Sequence, residues 1–224
     1  MRTSKQVQML HAIRSDWELC SHQIETSAPS QKVIEAMRRV PRDEFVPDKM
    51  RARAFDNNAL PIGEGQTISQ PFIVALMTDL LNLSTDHHVL EVGAGSGYQA
   101  AVLAEMVSHV YTIEVVQSLA EGAATQLERL GYDNVKVRCG DGYRGWPEFA
   151  PYDAILVAAT APHVPNSLKE QLRPGGRMVI PVGMPYQHQE LMLYEKDLDG
   201  NFSARTMLGV AFVPLTGEGA SSSA

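Results

Sequence analysis

The hydrophobic positions of this chain follow one period over its first quarter and two alternating periods after that. Val7, Leu10, Ile13, Trp17, Cys20 and Ile24 recur at steps of three and four, the spacing that lines one face of an α-helix. A first amphipathic helix is predicted there. Ser30 then suits the N-cap of a second helix carrying Val33, Ile34, Met37 and Val40, stopped by Pro41, whose ring disfavours helical geometry at the residue before it. From Pro41 to Pro71 proline and glycine punctuate a polar stretch that reads as loop. Pro71 fits the first turn of a third helix, along which Ile73, Val74, Leu76, Met77, Leu80 and Leu81 form a broad apolar stripe.

Beyond residue 84 short apolar runs alternate with helical segments. Strands are predicted over 87–92, 110–115, 135–139, 154–158 and 177–182, with helices over 96–106, 117–130 and 166–172. Strands separated by helices imply a parallel sheet covered on both faces, a doubly wound α/β core over 84–216. Two further extended runs, Leu191 to Tyr194 and Arg205 to Val213, flank Asp199-Gly200-Asn201 and predict an antiparallel hairpin at the sheet edge. Residues 1–40 read as a helical N-terminal extension of a single domain over 1–216, and the small polar residues 217–224 as a disordered tail.

Composition narrows the functional classes. The 224 residues carry 19 Lys+Arg against 26 Asp+Glu, a net charge of −7 with no basic cluster, which argues against a nucleic-acid partner. The longest purely apolar run, 154–159, is far below a membrane span, and no apolar stretch opens the chain, so a cytoplasmic protein is expected. Cys20 and Cys139 lie far apart without CxxC spacing, which suits reduced thiols. The seven histidines show no HxxxH pattern, and no metal site is expected.

The main chemical signal is Val89-Leu90-Glu91-Val92-Gly93-Ala94-Gly95-Ser96-Gly97-Tyr98, a strand running through glycines into a helix. Such a loop lets backbone approach a ligand closely at the carboxyl end of a strand, where open α/β sheets bind ligands. The spacing is GxGxG, whereas a dinucleotide fingerprint is GxGxxG with a pyrophosphate at the helix start. Glu91, two residues before the first glycine, would favour the sulfonium and ammonium of S-adenosylmethionine over phosphates. Glu114 closes the next strand, 21 residues after Gly93 (114 − 93), where a carboxylate can accept from both ribose hydroxyls of either cofactor. Asp141 and Gly142 follow the third strand, an acceptor for an adenine amino group beside a residue that leaves room for the ring. Tyr98 could cover the cofactor or pack against the sheet.

With Gly63-Glu64-Gly65-Gln66-Thr67-Ile68-Ser69-Gln70-Pro71, Pro151-Tyr152-Asp153-Ala154-Ile155, Ala161-Pro162-His163-Val164-Pro165, Arg173-Pro174-Gly175-Gly176-Arg177 and Phe212-Val213-Pro214-Leu215-Thr216 in view, the chain resembles the protein-L-isoaspartate O-methyltransferase family from about Pro41 to Thr216. The resemblance implies a Rossmann-like class I methyltransferase sheet. It also implies methyl transfer from S-adenosylmethionine, leaving S-adenosylhomocysteine, to the free carboxylate of L-isoaspartyl residues in damaged proteins, whose ester then closes to a succinimide. By the same resemblance Ser69 matches the active-site serine, and Gly93, Ala94, Gly95, Ser96, Gly97, Glu114, Asp141 and Gly142 match cofactor contacts. Ile62, Gly63, Gly65 and Thr216 are further matches near the cofactor, while Gln66, Thr67, Pro162, His163 and Val164 fall on the substrate side.

The chemistry asks little of acid–base groups. A carboxylate with a pKa of about 4 is already ionised at neutral pH, so its methylation needs no general base and depends on alignment. Ser69 could donate a hydrogen bond to the acceptor, or simply cap the helix after Gln70-Pro71. Gln66 and Thr67 are open to a plain turn role as well. The oligomeric state is not readable, a monomer being the default. Rival classes are a methyltransferase for small molecules, a nicotinamide oxidoreductase and a non-catalytic cofactor-binding module.

Overall fold

The computed structural model describes residues 2–217, with the side chains of residues 2 and 3 excepted. The polar tail therefore lies, beyond Gly217, outside the described residues. The first helix, α1 (Arg2–Ile24), buries Met9, Leu10, Ile13, Trp17 and Ile24, four of them on the predicted face. In α2 (Gln31–Arg39) the Ser30 hydroxyl accepts from the Val33 amide at 3.4 Å, so the predicted cap forms.

The stretch from Pro41 to Pro71 departs from the expectation of a plain loop. Two 3-10 turns, Arg42–Glu44 and Asp48–Arg53, are followed by a small antiparallel hairpin of β1 (Leu60–Gly63) and β2 (Gln66–Ile68). Its turn places Glu64 and Gly65 at φ 51 and 69, the left-handed pair that a tight hairpin requires. Strands of four and three residues are too short to show a period-two pattern, and Pro61 within the first disguises it further.

The remaining elements are α3 (Pro71–Leu80), β3 (His88–Val92), α4 (Tyr98–Ala104), β4 (His109–Glu114), α5 (Gln117–Arg129), β5 (Val135–Cys139), β6 (Tyr152–Val157), α6 (Asn166–Gln171), β7 (Leu172–Gly183), β8 (Gln189–Lys196) and β9 (Phe202–Val210). The sheet has seven strands in the order β5-β4-β3-β6-β7-β8-β9. β5 to β7 run parallel, and β8 and β9 close the edge as the expected antiparallel hairpin.

Alternate residues of the central strands serve two cores. Val89, Ala154 and Leu156 face one with α1 to α4, whereas Leu90, Ile155 and Val157 face the other with Tyr143, Trp146 and Leu168. Burial on both sides explains the unbroken apolar run from Ala154 to Val157 in β6. The covering is unequal: the second face has α6 and two 3-10 turns, Gly142–Arg144 and Pro147–Phe149, in place of long helices.

The N-terminal segment is no appendage. Trp17 is 1% exposed, meets Phe72 of α3 edge to face at 6.1 Å between centroids, and its indole N–H donates to the Thr26 carbonyl and hydroxyl. Trp17→Ala should therefore cost about 3–5 kcal/mol in urea unfolding, where a peripheral helix would give well under about 1 kcal/mol.

Candidate active site

The sheet reverses its direction of growth between β3 and β6, and there the carboxyl ends of adjacent strands part to leave a crevice. A cleft of about 780 Å³, open solvent at its mouth included, lies at this point. One wall is the loop after β3, with Gly93, Gly95 and Gly97 at φ 97, 53 and 85. A side chain would be strained at each, and the loop is laid onto β4 by hydrogen bonds from the Gly93 and Ala94 amides to the Ile113 carbonyl.

Glu114 ends β4 and lines the cleft. Its Oε2 accepts from the Gly95 amide at 2.9 Å and its Oε1 from the Val116 amide at 3.0 Å. Two backbone donors fix the carboxylate, and each oxygen keeps capacity for another hydrogen bond. Gly142 also lines the cleft, where an added Cβ would collide with Val92 and crowd Leu215.

The opposite wall holds Gln66, Thr67 and Ser69. Ser69 is half-buried and its hydroxyl makes no hydrogen bond among the described residues. It does not cap α3: the orphan Phe72 amide is met instead by Asn57 Oδ1 at 3.0 Å. A second, larger cleft of about 1420 Å³ runs from this point between α1, the 187–189 segment and the end of β9. Thr67, Ser69, Ala158 and Val213 line both clefts.

Of the residues singled out from sequence, Gln66, Thr67, Ser69, Gly93, Ala94, Gly95, Ser96, Glu114, Gly142 and Thr216 converge on the first cleft. Others lie elsewhere. Glu91 is fully buried in β3, opposite Thr112 and Leu156, outside the cleft lining, and neither carboxyl oxygen has a hydrogen-bond partner. Burial pushes its carboxyl up to about 8, and the nearby Glu114 charge adds to the rise. It thus holds its proton at neutral pH, and the negative charge at the cleft belongs to Glu114.

Gly97 serves as the N-cap of α4 against Leu127, and Ile62 packs beside Gly95 in a neighbouring surface groove. Gly63 and Gly65 belong to the hairpin turn. Asp141 caps a 3-10 turn by accepting from the Tyr143 amide at 2.9 Å, beside Gly217. Pro162, His163 and Val164 line neither cleft; the first two are exposed and Val164 packs into the second core.

Sequence reasoning missed the contributions of Asp16, Leu19 and Cys20 to the second cleft, since a helical face gives no hint of what faces its partner. Tyr98 lines the cleft, is 1% exposed and meets Phe45, after the first 3-10 turn, edge to face at 5.7 Å.

Comparison with known proteins follows the same outline. The family model described as protein-L-isoaspartate(D-aspartate) O-methyltransferase matches residues 16–220. A Syntrophobacter fumaroxidans protein named protein-L-isoaspartate O-methyltransferase 2 is 58% identical over 209 residues, covering 93% of this chain and 85% of its own. A namesake from Polaromonas sp. is 59% identical over 196 residues, covering 87% and 93%. Among solved structures, one titled protein-L-isoaspartate O-methyltransferase superposes with a TM-score of 0.82 at 29% identity, over 95% of this chain and 66% of that one. A Plasmodium falciparum structure in complex with S-adenosyl-L-homocysteine has the same fold, with a TM-score of 0.72 at 23% identity over 92% and 98%.

The state of Glu91 has a measurable consequence. A carboxyl whose folded pKa is raised from 4.5 to about 8 favours folding fully below pH 4.5 and loses that contribution as pH climbs to about 8, with a slope of at most about 1.4 kcal/mol per pH unit. Glu91→Gln should remove this slope, so urea unfolding at pH 5, 6.5 and 8 should show the variant gaining on the wild type as pH rises. Parallel curves would contradict a buried, protonated Glu91.

Proposed function

The chain belongs to the protein-L-isoaspartate(D-aspartate) O-methyltransferase family, and we propose that it transfers a methyl group from S-adenosylmethionine to the free carboxylate of L-isoaspartyl residues in damaged proteins. The observation that carries this reading is the junction at Ser69 of a glycine-walled cleft bearing one carboxylate with a long open cleft suited to a segment of polypeptide. Bound in the first, the cofactor supplies a methyl group activated by its sulfonium and is left as S-adenosylhomocysteine.

The residues fit such a ligand. Glu114 has free acceptor capacity for ribose hydroxyls, and its charge attracts a cationic donor. Gly142 leaves space where a side chain could not fit, with Leu215 and Thr216 closing the edge. Asp141, next to Gly142, holds the Tyr143 amide through Oδ1 and pairs with Arg144 through Oδ2 at 3.9 Å, which fixes the turn that leaves this space.

The acceptor carboxylate arrives ionised, so the chain's task is orientation and exclusion of water. The Ser69 hydroxyl, without a partner of its own, donates to the acceptor. Gln66 and Thr67 beside it border the same opening. Among the described residues Glu114 is the only acid lining the cofactor cleft.

The same reading makes the protein one methyltransferase domain over 1–216, cytoplasmic and monomeric, acting on proteins and not on nucleic acid. The net charge of −7 and the free thiols Cys20 and Cys139 support it, and no helix among the described residues is long and apolar enough to cross a membrane.

Labelled methyl should enter an isoaspartyl peptide and not its aspartyl isomer; incorporation into neither would favour a small-molecule acceptor. Ser69→Ala should lower kcat about 10- to 100-fold with cofactor affinity nearly intact. Glu114→Ala should weaken S-adenosylhomocysteine binding about 10- to 100-fold by calorimetry. Equal affinity losses in both variants would contradict this division of roles.

A further inference from the structure

We propose that Arg42 is a positioning residue for the transfer, fixing Ser69 against the cofactor wall through the Ser69 carbonyl oxygen. The proposal rests on the reading of Ser69 as the group that orients the acceptor carboxylate. Arg42 is 0% exposed, on the short turn after α2, far from Ser69 in sequence. Its Nη2 donates to the Ser69 carbonyl at 2.7 Å and its Nε to the Ala54 carbonyl at 2.8 Å. Its guanidinium carbon lies 4.6 Å from the centroid of the Tyr98 ring.

One side chain thus touches three separate segments. Ser69 belongs to the acceptor wall, Tyr98 is the first residue of α4 after the glycine loop and lines the donor cleft, and Ala54 belongs to the scaffold beneath. Both clefts meet at the residue whose carbonyl Arg42 holds.

The energetics argue for a purpose beyond cohesion. Among the described residues Arg42 has no carboxylate partner, and its Nη1 makes no hydrogen bond. A buried cation compensated only by carbonyl dipoles and an aromatic face is costly, and an apolar side chain of similar volume often serves stability better. What an apolar residue cannot do is grip two carbonyls in fixed directions. The planar fork of arginine does so while lying on a ring, and the single ammonium of lysine does not. Because the reaction depends on alignment, a displacement of Ser69 of about 1 Å would cost on the order of 100-fold in rate.

The test is a double-mutant cycle on the intact enzyme with an isoaspartyl peptide, kcat being normalised to S-adenosylhomocysteine binding sites. Arg42→Lys should lower kcat about 10- to 100-fold, with peptide KM and S-adenosylhomocysteine Kd unchanged within about threefold. Combined with Ser69→Ala it should add almost nothing to the loss that Ser69→Ala causes alone. A merely structural role would multiply the two losses, and that result, or an unchanged kcat in Arg42→Lys, overturns the proposal. Should the lysine variant fail to fold, Arg42→Gln, which leaves no charge to bury, takes its place in the same cycle with the same expectations. Undiminished turnover in Ser69→Ala alone would instead overturn the Ser69 reading and the proposal with it.

Discussion

The site depends on one carboxylate gripped by two backbone amides. Glu114 accepts from Gly95 in the glycine loop and from Val116 at the start of α5, at 2.9 and 3.0 Å, so it ties the turn after one strand to the turn after its neighbour. Charge-assisted bonds of this kind are stronger than neutral ones. They oppose the conformational freedom of three glycines that would otherwise give the loop many shapes. In the proposed function the same side chain that shapes the donor wall is also the acid presented to the donor. Architecture and recognition share a residue, which ties the fold of the loop to the ligand it suits.

Charge is rationed around that carboxylate. Glu91 lies one strand away with burial holding its proton on, and Arg42 sits fully buried among carbonyl oxygens. Neither is part of an ion pair. In a medium of low dielectric, each additional unpaired charge near the cleft would act at long range on both reactants, one cationic and one anionic. Among the described residues Glu114 is the sole acid lining the first cleft, where its charge would attract a cationic donor.

Much of this was legible in the sequence because it was local. Gly93 to Gly97, Glu114 and Gly142 sit at strand ends whose spacing follows from the alternation of strands and helices, and β5 and α6 were predicted with the bounds they have or within a residue of them. What escaped was non-local. β1 and β2 are too short for a pattern, and the 3-10 helices between 40 and 60 span only three and six residues. Glu91 was read as a charged group beside the ligand because sequence gives proximity along the chain and not burial. For Pro162 to Val164 the resemblance supplied a role, and the fold puts them beyond both clefts. Arg42 carries no motif that would have marked it, its three contacts lying 12, 27 and 56 residues away (54 − 42, 69 − 42, 98 − 42).

The N-terminal helix shows where such non-local contacts lead. Trp17 packs on Phe72, while Asp16 Oδ2 accepts from Asn57 Nδ2 at 2.8 Å and from Gln70 Nε2 at 3.1 Å. Asn57 in turn accepts from the Phe72 amide at the start of α3. The segment around Ser69 is therefore held from two sides, by Arg42 through the carbonyl of Ser69 and by Asp16 through the side chain of the next residue. Since Asp16, Leu19 and Cys20 also line the larger cleft, one wall of that cleft and one of the two holds on the serine segment belong to the same helix. A helix that looks detachable in sequence is in this way tied by Asp16 to Gln70, the residue next to Ser69.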